Sequence, residues 1–373
     1  MNRLVVVGGG VLGAMHALRG VELGWDVVHL ERNEVPRGAS LRNFGLIWVS
    51  GRAAGAELDM ALDARGRWEA IAARHPGMGF RANGSLTLAV TPEEEAVLEA
   101  AAARPDADAR GIKLLGPEAA RRVNPVLKEV RAALHCAADA VVEPRQVLAA
   151  LRDLCEASGR YRWLPNREAK ETHAHAVVDA LGQRHDGDLV VVCTGAEHGG
   201  VAAPGLAALA SVAPGGPPVR RVRLQMMETD RFDRVLATSV ADGDSLRYYP
   251  AYDVPARENL QPQASIASEW GAQLLIVQRA DGSLTLGDTH AYDEPFPFDL
   301  DETPYRHLLA VAGSLVEGRL PPVVRRWAGV YSQVTDPAAL YLRAEVHPGV
   351  HLVTGPGGRG MTLAPAIAAE TFA

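Results

Sequence analysis

Residues 4–13 read Leu-Val-Val-Val-Gly-Gly-Gly-Val-Leu-Gly, and this stretch decides the fold. The apolar run at 4–7 is typical of a strand buried inside a parallel sheet, and the glycines after it predict a tight turn. Gly8, Gly10 and Gly13 have the G-x-G-x-x-G spacing of a dinucleotide-binding fingerprint. In such a turn the first glycine makes the bend, the second admits a pyrophosphate and the third lets a helix pack on the strand.

The residues that follow complete a strand–turn–helix–strand unit. The pattern at 11–23 predicts an amphipathic helix, Gly24 ends it, and 25–30 is predicted to be a second strand. The helix would begin at Val11 and Leu12, where free N–H groups and the positive end of the helix dipole attract phosphate.

Glu31 closes the second strand 18 residues beyond Gly13. An acidic side chain at this place accepts hydrogen bonds from an adenosine ribose, and Arg32 beside it is a further candidate for cofactor contact. An ordinary glycine-rich turn is the competing interpretation. The unit by itself also leaves open whether the dinucleotide is FAD or a nicotinamide.

Composition and net charge limit the classes of protein to which this chain can belong. The chain has 373 residues, 47% hydrophobic and 22% charged, which suits one large or two interleaved folded domains. A formal net charge of −7 argues against a nucleic-acid-binding surface. The three cysteines have no metal-ligand spacing, so we predict no metal site and a reducing compartment. No apolar run approaches ~20 residues, and the first strand leaves no room for a signal peptide, so we expect a cytoplasmic protein without a membrane span.

A loop of small and polar residues follows the second strand. It contains Gly38-Ala39-Ser40-x-x-Asn43-x-Gly45, which resembles the second flavin motif of the D-amino-acid oxidase, glycine oxidase and sarcosine oxidase superfamily. The resemblance implies that the loop runs beneath the pyrophosphate and isoalloxazine of FAD. A purely structural loop is the alternative. The residues that the resemblance assigns to the cofactor here are Ser40, Arg42, Asn43, Gly45 and Leu46.

Three later segments resemble the same superfamily in the same order. Glu143-Pro144 resembles the return into the flavin-binding domain, and Thr194-Gly195 ends a strand that abuts FAD in that superfamily. The closing stretch 351–365 reads as strand, glycine-rich turn and helix, and resembles the last flavin motif. This C-terminal return favours FAD over a nicotinamide, and no covalent attachment motif is present, so we predict non-covalent FAD. The residues assigned to FAD in the last motif are Gly355, Gly358, Arg359, Gly360, Met361 and Thr362.

We therefore predict an α/β fold, with a Rossmann-type FAD-binding domain interleaved with an α+β substrate domain on a large mixed or antiparallel sheet. Strand-like runs at 222–227, 246–252, 273–277 and 283–287 suggest that sheet. The FAD-binding domain is predicted to comprise 1–80, 139–215 and 326–373. The substrate domain is predicted to comprise 81–138 and 216–325.

Within the superfamily the chain is most similar to the FAD-dependent oxidoreductases associated with bacterial phosphonate catabolism. Arg42-Asn43-Phe44-Gly45, Arg247-Tyr248-Tyr249-Pro250 and Gly287-Asp288-Thr289-His290 are among the segments that carry this resemblance. It implies oxidation of 2-aminoethylphosphonate, or its N-methyl form, to phosphonoacetaldehyde plus ammonia or methylamine. The superfamily's amino-acid oxidases usually carry Trp-x-Gly-Leu-Arg-Pro, whose arginine binds the substrate carboxylate. Here Tyr331 takes that position, which disfavours glycine, sarcosine and D-amino acids.

A phosphonate needs several donors and at least one cation, for which Arg247 and Arg326 are the candidates and Arg359, in the flavin turn, is a further alternative. The predicted catalytic residues are Tyr249, His290 and Tyr331, and the predicted substrate-binding residues are Arg247, Arg326, Trp327, Trp48 and Met226. Tyr249, Tyr331 and Trp327 have a competing interpretation as core aromatics, and His290 as an exposed loop histidine. Trp48 and Met226 have a competing interpretation as packing residues.

The expected chemistry is hydride transfer from the α-carbon of a neutral amine to flavin N5, followed by hydrolysis of the imine. Tyr249 or His290 would help keep the amine deprotonated, and O2 would reoxidise the flavin. The alternatives are a glycine, sarcosine or D-amino-acid type oxidase, a dehydrogenase that passes electrons to a quinone or a protein, and a flavin-binding module without activity.

Overall fold

A computed structural model describes residues 2–212 and 216–373. The strands within these ranges are β1 (Arg3–Val7), β2 (Asp26–Leu30), β3 (Leu46–Ile47), β4 (Ser85–Ala89), β5 (Ile112–Leu115), β6 (Ala132–Cys136), β7 (Ala140–Val141), β8 (Tyr161–Leu164), β9 (Ala169–His173), β10 (Ala176–Asp179), β11 (Arg184–Asp186), β12 (Leu189–Val192), β13 (Val219–Arg231), β14 (Ser239–Ala241), β15 (Leu275–Gln278), β16 (Ser283–Gly287), β17 (Val323–Val334), β18 (Leu342–His347) and β19 (Val350–Thr354). The α-helices are α1 (Val11–Glu22), α2 (Ala56–Arg74), α3 (Pro92–Ala102), α4 (Pro117–Val123), α5 (Pro144–Glu156), α6 (Ala203–Val212), α7 (Ser245–Tyr248), α8 (Ser265–Trp270), α9 (Glu302–Leu315) and α10 (Gly360–Thr371).

The fingerprint lies in a six-stranded sheet. Its order is β18-β19-β12-β1-β2-β8, and every neighbouring pair is parallel except β18 with β19. One face packs against α1, α2, α5 and α10 in a single apolar core. The other face forms a second core with β9, β10 and the start of α6. Because both faces are covered, β1 is apolar at every position from Leu4 to Val7, as the sequence predicts.

The carboxyl ends of β1, β12 and β19 lie side by side in this sheet. β1 ends before Gly8, β12 ends shortly before Thr194-Gly195, and β19 ends before Gly355. From β1 the chain continues through α1 to β2, while β12 pairs with the other side of β1. Ligands of open α/β sheets bind where the strand order reverses in this way. The fold therefore brings three predicted cofactor turns to one edge.

An eight-stranded sheet forms the second layer, in the order β17-β13-β16-β15-β14-β4-β6-β5. Only the β14–β4 pair is parallel within the described residues. The predicted α/β fold class, with parallel and antiparallel sheets, is confirmed. The division into domains stays a prediction: its 325/326 boundary falls inside β17, and residue 215 lies outside the described residues.

The predicted strand at 246–252 is wrong. This segment forms the short helix α7 followed by a 3₁₀ turn, Pro250–Tyr252. Leu246, Tyr249 and Tyr252 are all buried, and their spacing of three residues is that of a helical face. Among the described helices none has the length and apolarity needed to cross a lipid bilayer.

Candidate active site

A cavity of about 1140 Å³ opens at the carboxyl ends of β1 and β12 and reaches the large sheet at β13, β15 and β17. Ligand pockets usually have volumes of roughly 300–1,000 Å³, so this one has room for a dinucleotide and a small substrate together. Most of the predicted site residues line it. They are Gly8, Gly10, Val11, Leu12, Glu31, Arg32, Ser40, Arg42, Asn43, Leu46, Trp48, Thr194, Gly195, Met226, Arg247, Tyr249, His290, Tyr331, Gly358, Arg359, Gly360 and Met361.

The fingerprint turn has the close backbone approaches that its glycines predict. Gly8 has φ +101°, and a Cβ there would lie 2.2 Å from the Cys193 carbonyl oxygen. A Cβ on Gly13 would lie 1.9 Å from the Gly8 carbonyl oxygen, so Gly13 supports the turn from behind the cavity wall. The Val11 N–H donates to Ser40 Oγ at 2.9 Å. The start of α1 is therefore tied to the second motif.

Glu31 holds the same turn from the end of β2. Its Oε2 accepts from the Gly9 N–H at 2.8 Å, and its Oε1 accepts from the backbone N–H and Nδ2 of Asn33 at 3.0 Å each. Arg32 lies beside it, paired with Glu197 at 3.0 Å on the cavity rim. The carboxylate that the sequence assigns to a ribose thus lies next to the glycine turn.

The second motif is a rigid loop rather than an open one. Asn43 Nδ2 donates to the carbonyls of Ala39 and Ser40, and Asn43 Oδ1 accepts from the Gly45 N–H at 2.6 Å. Gly45 itself faces away from the cavity, because a Cβ there would lie 2.1 Å from the Val142 carbonyl oxygen. Arg279 donates to the Phe44 carbonyl at 2.7 Å. Burial lowers the pKa of Arg279 to about 10, so it remains a cation at neutral pH.

The last motif closes the cavity from the C-terminal side. Gly355 has φ +76° in the turn after β19, and α10 begins at Gly360, one residue before the predicted start. Thr362 lies one turn into α10, behind the wall. Its Oγ1 accepts from the Trp48 N–H at 2.9 Å. This bond fixes the segment that carries Trp48 against the helix.

Aromatic side chains form the end of the cavity that faces the large sheet. The Tyr248 ring packs edge-on against Tyr249 at 5.0 Å and lies 4.3 Å from the His290 ring. His290 is 8% exposed, so its interpretation as an exposed loop residue is wrong. The His290 Nδ1 atom lies 3.0 Å from the Gly271 carbonyl, an acceptor, so Nδ1 carries the proton.

Tyr331 presents a hydroxyl without a partner. Its side chain is 8% exposed and lines the cavity, and its oxygen makes no hydrogen bond to any described residue. The Tyr331 and Tyr248 hydroxyls both lie 3.9 Å from the point that a Cβ on Gly358 would occupy. Burial raises the pKa of Tyr331 far above the usual value, and desolvation at the cavity wall also raises that of Tyr248, although 37% of this residue is exposed. They are therefore neutral donors at physiological pH.

A largely buried charged cluster lies next to these hydroxyls, and of its three members the sequence singled out Arg359 but neither Arg52 nor Glu57. Glu57 is 6% exposed and lies 3.6 Å from an Arg52 nitrogen and 3.7 Å from an Arg359 nitrogen. Two guanidinium groups share one carboxylate, which leaves one net positive charge at the cavity wall. Burial lowers the pKa of Arg359, and Glu57 opposes that shift. An anion in the cavity would complete the pairing of this cluster.

The predicted substrate cations have different positions. Arg326 lies outside the cavity lining, pairs with Glu302 at 2.9 Å and stacks on Tyr305, so its predicted role is wrong. It is five residues from Tyr331 on β17, and strand residues an odd number apart point to opposite faces. Trp327 also lies outside the lining, where its indole packs under Arg145. Arg247 lines the cavity, but it is already bonded to Asp244 and the Gln261 carbonyl.

Two further polar residues complete the sheet side of the cavity. Asp288 follows β16 and Gln273 precedes β15, and both are buried and line the cavity. Asp288 stands inside a segment quoted above for its family resemblance, and Tyr248 stands inside another, but neither was singled out. Arg52, Glu57 and Gln273 lie in no motif. Within the described ranges, no group of three His, Cys, Asp or Glu side chains is placed to hold a metal ion.

The residues present fit FAD. The Gly8–Leu12 turn provides close backbone approach and a helix N-terminus for a pyrophosphate. Trp48 Nε1 and Tyr331 Oη are buried donors at the cavity that lack partners among the described residues. Such orphaned donors are rare unless a ligand or water satisfies them.

Comparison with known proteins agrees with this site. The family model described as DAO, FAD dependent oxidoreductase, matches residues 3–373. The sequence matches none of the curated proteins with which it was compared. Glycine oxidase from Geobacillus kaustophilus has a similar structure, with a TM-score of 0.77 and 20% identity over 100% of this chain and 94% of that one.

Two further solved structures share the fold. Iminodiacetate oxidase from Chelativorans sp. BNC1 has a TM-score of 0.74 and 18% identity, covering 98% of this chain and 93% of that one. Dithionite-reduced L-α-glycerophosphate oxidase from Mycoplasma pneumoniae with FAD bound has a TM-score of 0.70 and 15% identity, covering 100% and 94%. At these identities the likeness concerns the fold.

Proposed function

Because this chain belongs to the DAO family of FAD-dependent oxidoreductases, we propose that it oxidises a small amine that carries an anionic group. The foremost candidates are 2-aminoethylphosphonate and its N-methyl form, which would yield phosphonoacetaldehyde plus ammonia or methylamine. Two of the structurally similar proteins, glycine oxidase and iminodiacetate oxidase, are named for amines that carry carboxylates. We further propose O2 as the electron acceptor.

The observation that carries this proposal is the Arg52–Glu57–Arg359 cluster. The three residues line the cavity and together carry one net positive charge. In such a site, shielded from water, an anion is attracted far more strongly than in bulk water. Arg52 donates its Nε–H to the Trp48 carbonyl at 2.7 Å, and its Nη2 makes no hydrogen bond within the described part of the chain. That atom is available to a substrate anion.

The donors around the cluster favour a phosphonate over a carboxylate. A phosphonate has three acceptor oxygens in a tetrahedral arrangement and up to two negative charges. The Tyr248 and Tyr331 hydroxyls converge on the region beside Arg359, so they add two neutral donors to the cations. A planar carboxylate is best held by one arginine in a bidentate pair, and Tyr331 stands where the family resemblance expects that arginine.

FAD, when bound, supplies the acceptor for the hydride that leaves the α-carbon of the amine. The residues of this chain bind and orient the substrate for that transfer. The cluster and the tyrosines would hold the anionic end, while Trp48 and Met226 would form apolar walls that exclude water. The resulting imine adds water and divides into an aldehyde and an amine, a step that requires no protein nucleophile.

The proposal is tested with the purified holoenzyme and four amines: 2-aminoethylphosphonate, its N-methyl form, glycine and sarcosine. Anaerobic bleaching of the flavin absorbance measures substrate oxidation, and hydrogen peroxide production in air measures the reaction with O2. We expect the phosphonates to bleach the flavin with the higher kcat/KM. Equal or better turnover of the two carboxylates would contradict the choice of phosphonate, and bleaching without peroxide would indicate a dehydrogenase.

Replacing Tyr331 with phenylalanine should weaken substrate binding without cost to the fold. The hydroxyl makes no hydrogen bond of ordinary length within the described residues, and the Tyr248 hydroxyl that interacts with it belongs to an exposed residue, so its removal leaves no fully buried group unsatisfied. One lost neutral hydrogen bond, worth ~0.5–1.5 kcal/mol, should raise KM for the phosphonate about 3- to 10-fold. Steady-state kinetics and a thermal melt measure the two quantities.

Tyr252→Phe is the matched control. Its hydroxyl lies 2.9 Å from Thr87 Oγ1, and Tyr252 is buried outside the cavity lining. It should lower the melting temperature and leave KM unchanged. A Tyr331→Phe variant that melts lower but keeps its KM would show that Tyr331 is a core aromatic.

A further inference from the structure

We propose that Asp288 binds the ammonium group of the substrate and accepts its proton, so that the amine is neutral when it is oxidised. This inference rests on the function proposed above and assigns a residue to the amine end of the substrate. It replaces Tyr249 as a predicted proton acceptor and sets Asp288 beside His290, the other candidate that the sequence offers. Tyr249 is buried and its pKa lies well above the usual value, so it remains protonated and cannot accept a proton.

Asp288 is a buried carboxylate with an incomplete set of partners. It is 6% exposed and lines the cavity, and it forms no ion pair within residues 2–212 and 216–373. Its one side-chain hydrogen bond in that part of the chain comes from Gln273 Nε2 at the long distance of 3.5 Å. A buried carboxylate normally has a cation or several donors around it. A cation in the cavity would supply what this one lacks.

The backbone fixes Asp288 in place. Its N–H donates to the Gln273 carbonyl at 2.8 Å, and the Gln273 N–H donates to the Asp288 carbonyl at 3.1 Å. The carboxyl is therefore held by the sheet rather than by a mobile loop, as a residue that must meet a substrate atom should be.

The groups that face Asp288 come from three other elements. They are Tyr248 and Tyr249 of the α7 segment, Tyr331 of β17 and Gln273 before β15, with His290 and Tyr292 farther along its own chain. The four tyrosines are neutral at physiological pH, because desolvation raises their pKa values, and Gln273 carries no charge. Burial raises the pKa of Asp288, and a charge on His290 would oppose that rise.

The cavity therefore has a negative end and a positive end close together. The Asp288 carboxylate raises the pKa of Tyr248, whereas the Arg52 guanidinium lowers it, so this hydroxyl lies within the field of both. An amine with an anionic group is a zwitterion at neutral pH, because the ammonium pKa is about 10. One such molecule would satisfy both ends at once.

The proposed reaction is a proton transfer followed by a two-electron oxidation. The Asp288 carboxylate removes one proton from the R–CH2–NH3⁺ group, which gives R–CH2–NH2 and a neutral carboxyl. The nitrogen lone pair then forms the C=N bond as the α-carbon loses hydride to bound FAD, which gives R–CH=NH2⁺. Water converts this ion to an aldehyde and ammonium, and Asp288 returns its proton to solvent. Because burial raises the pKa of the Asp288 carboxyl, the difference between this pKa and that of the ammonium group is smaller, which favours the proton transfer.

The test is anaerobic flavin reduction by 2-aminoethylphosphonate as a function of pH, with Asp288→Asn. At neutral pH we expect the variant to reduce its flavin about 100- to 10,000-fold more slowly, the usual range for loss of a general base. Above pH ~11, past the ammonium pKa, most of the free amine is already neutral, so the two rates should converge. An unchanged pH profile, or a loss that alkaline pH does not rescue, would overturn the inference.

Binding provides a readout that does not depend on turnover. Ethylphosphonate has the anion but no amine, and perturbation of the flavin spectrum reports its binding. Asp288→Asn should bind it as tightly as the wild type or more tightly, because the carboxylate no longer repels an anion. Weaker binding would indicate a structural role for Asp288. If the Asp288→Asn protein does not hold FAD, Gln273→Leu gives a second measure. Loss of the Gln273 hydrogen bond to the Asp288 carboxylate should move the acid limb of the pH profile of flavin reduction to higher pH. An acid limb that does not move would contradict the assignment of Asp288.

Asp242→Asn is the matched control. Asp242 is also buried, with a pKa raised to about 7, but it lies outside the cavity lining. Its Oδ1 accepts from the Ser245 N–H at 3.2 Å, and an asparagine oxygen can keep that bond. The control should leave the profile unchanged, and a shifted profile would assign the pH dependence to Asp242 instead.

The same experiment separates this inference from the function on which it rests. If glycine or sarcosine reduces the wild-type flavin and the phosphonates do not, the substrate assignment fails, and the Asp288 comparison is made with that amine. If no amine reduces it, both fail.

Discussion

Arg52→Gln should reduce kcat/KM for 2-aminoethylphosphonate about 10- to 100-fold, mainly through a higher KM. The variant removes one charge-assisted hydrogen bond to the substrate anion, an interaction worth ~1.5–3 kcal/mol. It also leaves Glu57 paired with Arg359 alone, so the net charge of the cluster falls to zero. Steady-state kinetics at several salt concentrations measure the effect.

Replacement of Glu57 tests whether the charge of the cluster causes the loss of substrate affinity expected in Arg52→Gln. Glu57→Gln leaves two guanidinium groups without a carboxylate, so we expect tighter binding of ethylphosphonate and a lower melting temperature. The double variant Arg52→Gln, Glu57→Gln restores one net positive charge and should recover part of the lost affinity. These variants form a thermodynamic cycle, because the two side chains lie in one network.

Arg67→Gln controls for the loss of an arginine. Arg67 pairs with Asp63 at 2.7 Å on the exposed side of α2, so its replacement should change neither KM nor ethylphosphonate binding. Equal kinetic losses in Arg52→Gln for the phosphonate and for an amine without an anionic group, such as propylamine, would show that Arg52 acts on the fold rather than on the anion.

Gly13→Ala should abolish FAD binding and destabilise the protein. The added Cβ would lie 1.9 Å from the Gly8 carbonyl oxygen, well inside van der Waals contact, so α1 must move away from β1. We expect the free energy of unfolding to fall by more than ~2 kcal/mol, since a backbone atom cannot move aside as a flexible side chain does. The flavin-to-protein absorbance ratio after gel filtration and a thermal melt of the apoprotein measure the two effects.

Two other glycines separate packing from cofactor contact. A Cβ on Gly10 meets only Ser40 Oγ, at 3.2 Å, so Gly10→Ala should lower FAD affinity while the apoprotein melts close to the wild type. Gly66 lies within α2 with open space around it, so Gly66→Ala should stabilise the helix slightly and leave FAD content unchanged. A Gly13→Ala protein that retains full flavin would contradict the fingerprint interpretation.

The sequence predicted those parts of the site that depend on local backbone geometry. The turn at Gly8–Gly13 requires glycine for steric reasons, and the strand before it is apolar because both faces of its sheet are covered. Each of these requirements restricts the residue types within a short stretch of the sequence. The family and the FAD cofactor were therefore accessible from sequence.

The charged cluster was not accessible in this way. Arg52 and Glu57 lie near the start of the chain and Arg359 near its end, and only the packing of α10 against α2 brings them together. A salt bridge between such distant residues has no spacing rule. The error at Arg326 was avoidable, since strand alternation between 326 and 331 places these residues on opposite faces. The error at 246–252 arose from assigning period two to a run whose buried residues follow period three.

The Arg52–Glu57–Arg359 cluster belongs to the loops and helices beside the parallel sheet, whereas Asp288 and Met226 belong to the large sheet, as does Tyr331, the one proposed donor to the anion that lies there. In the function proposed above, the charge that attracts the anion and the carboxylate that faces the amine thus lie in separate layers. Exchange of side chains on β13 and β16, with Tyr331 of β17 kept, should redirect the enzyme to longer or bulkier amines while its demand for an anion persists. We expect laboratory selection for new amines to accumulate changes in the large sheet and to spare residues 52, 57 and 359.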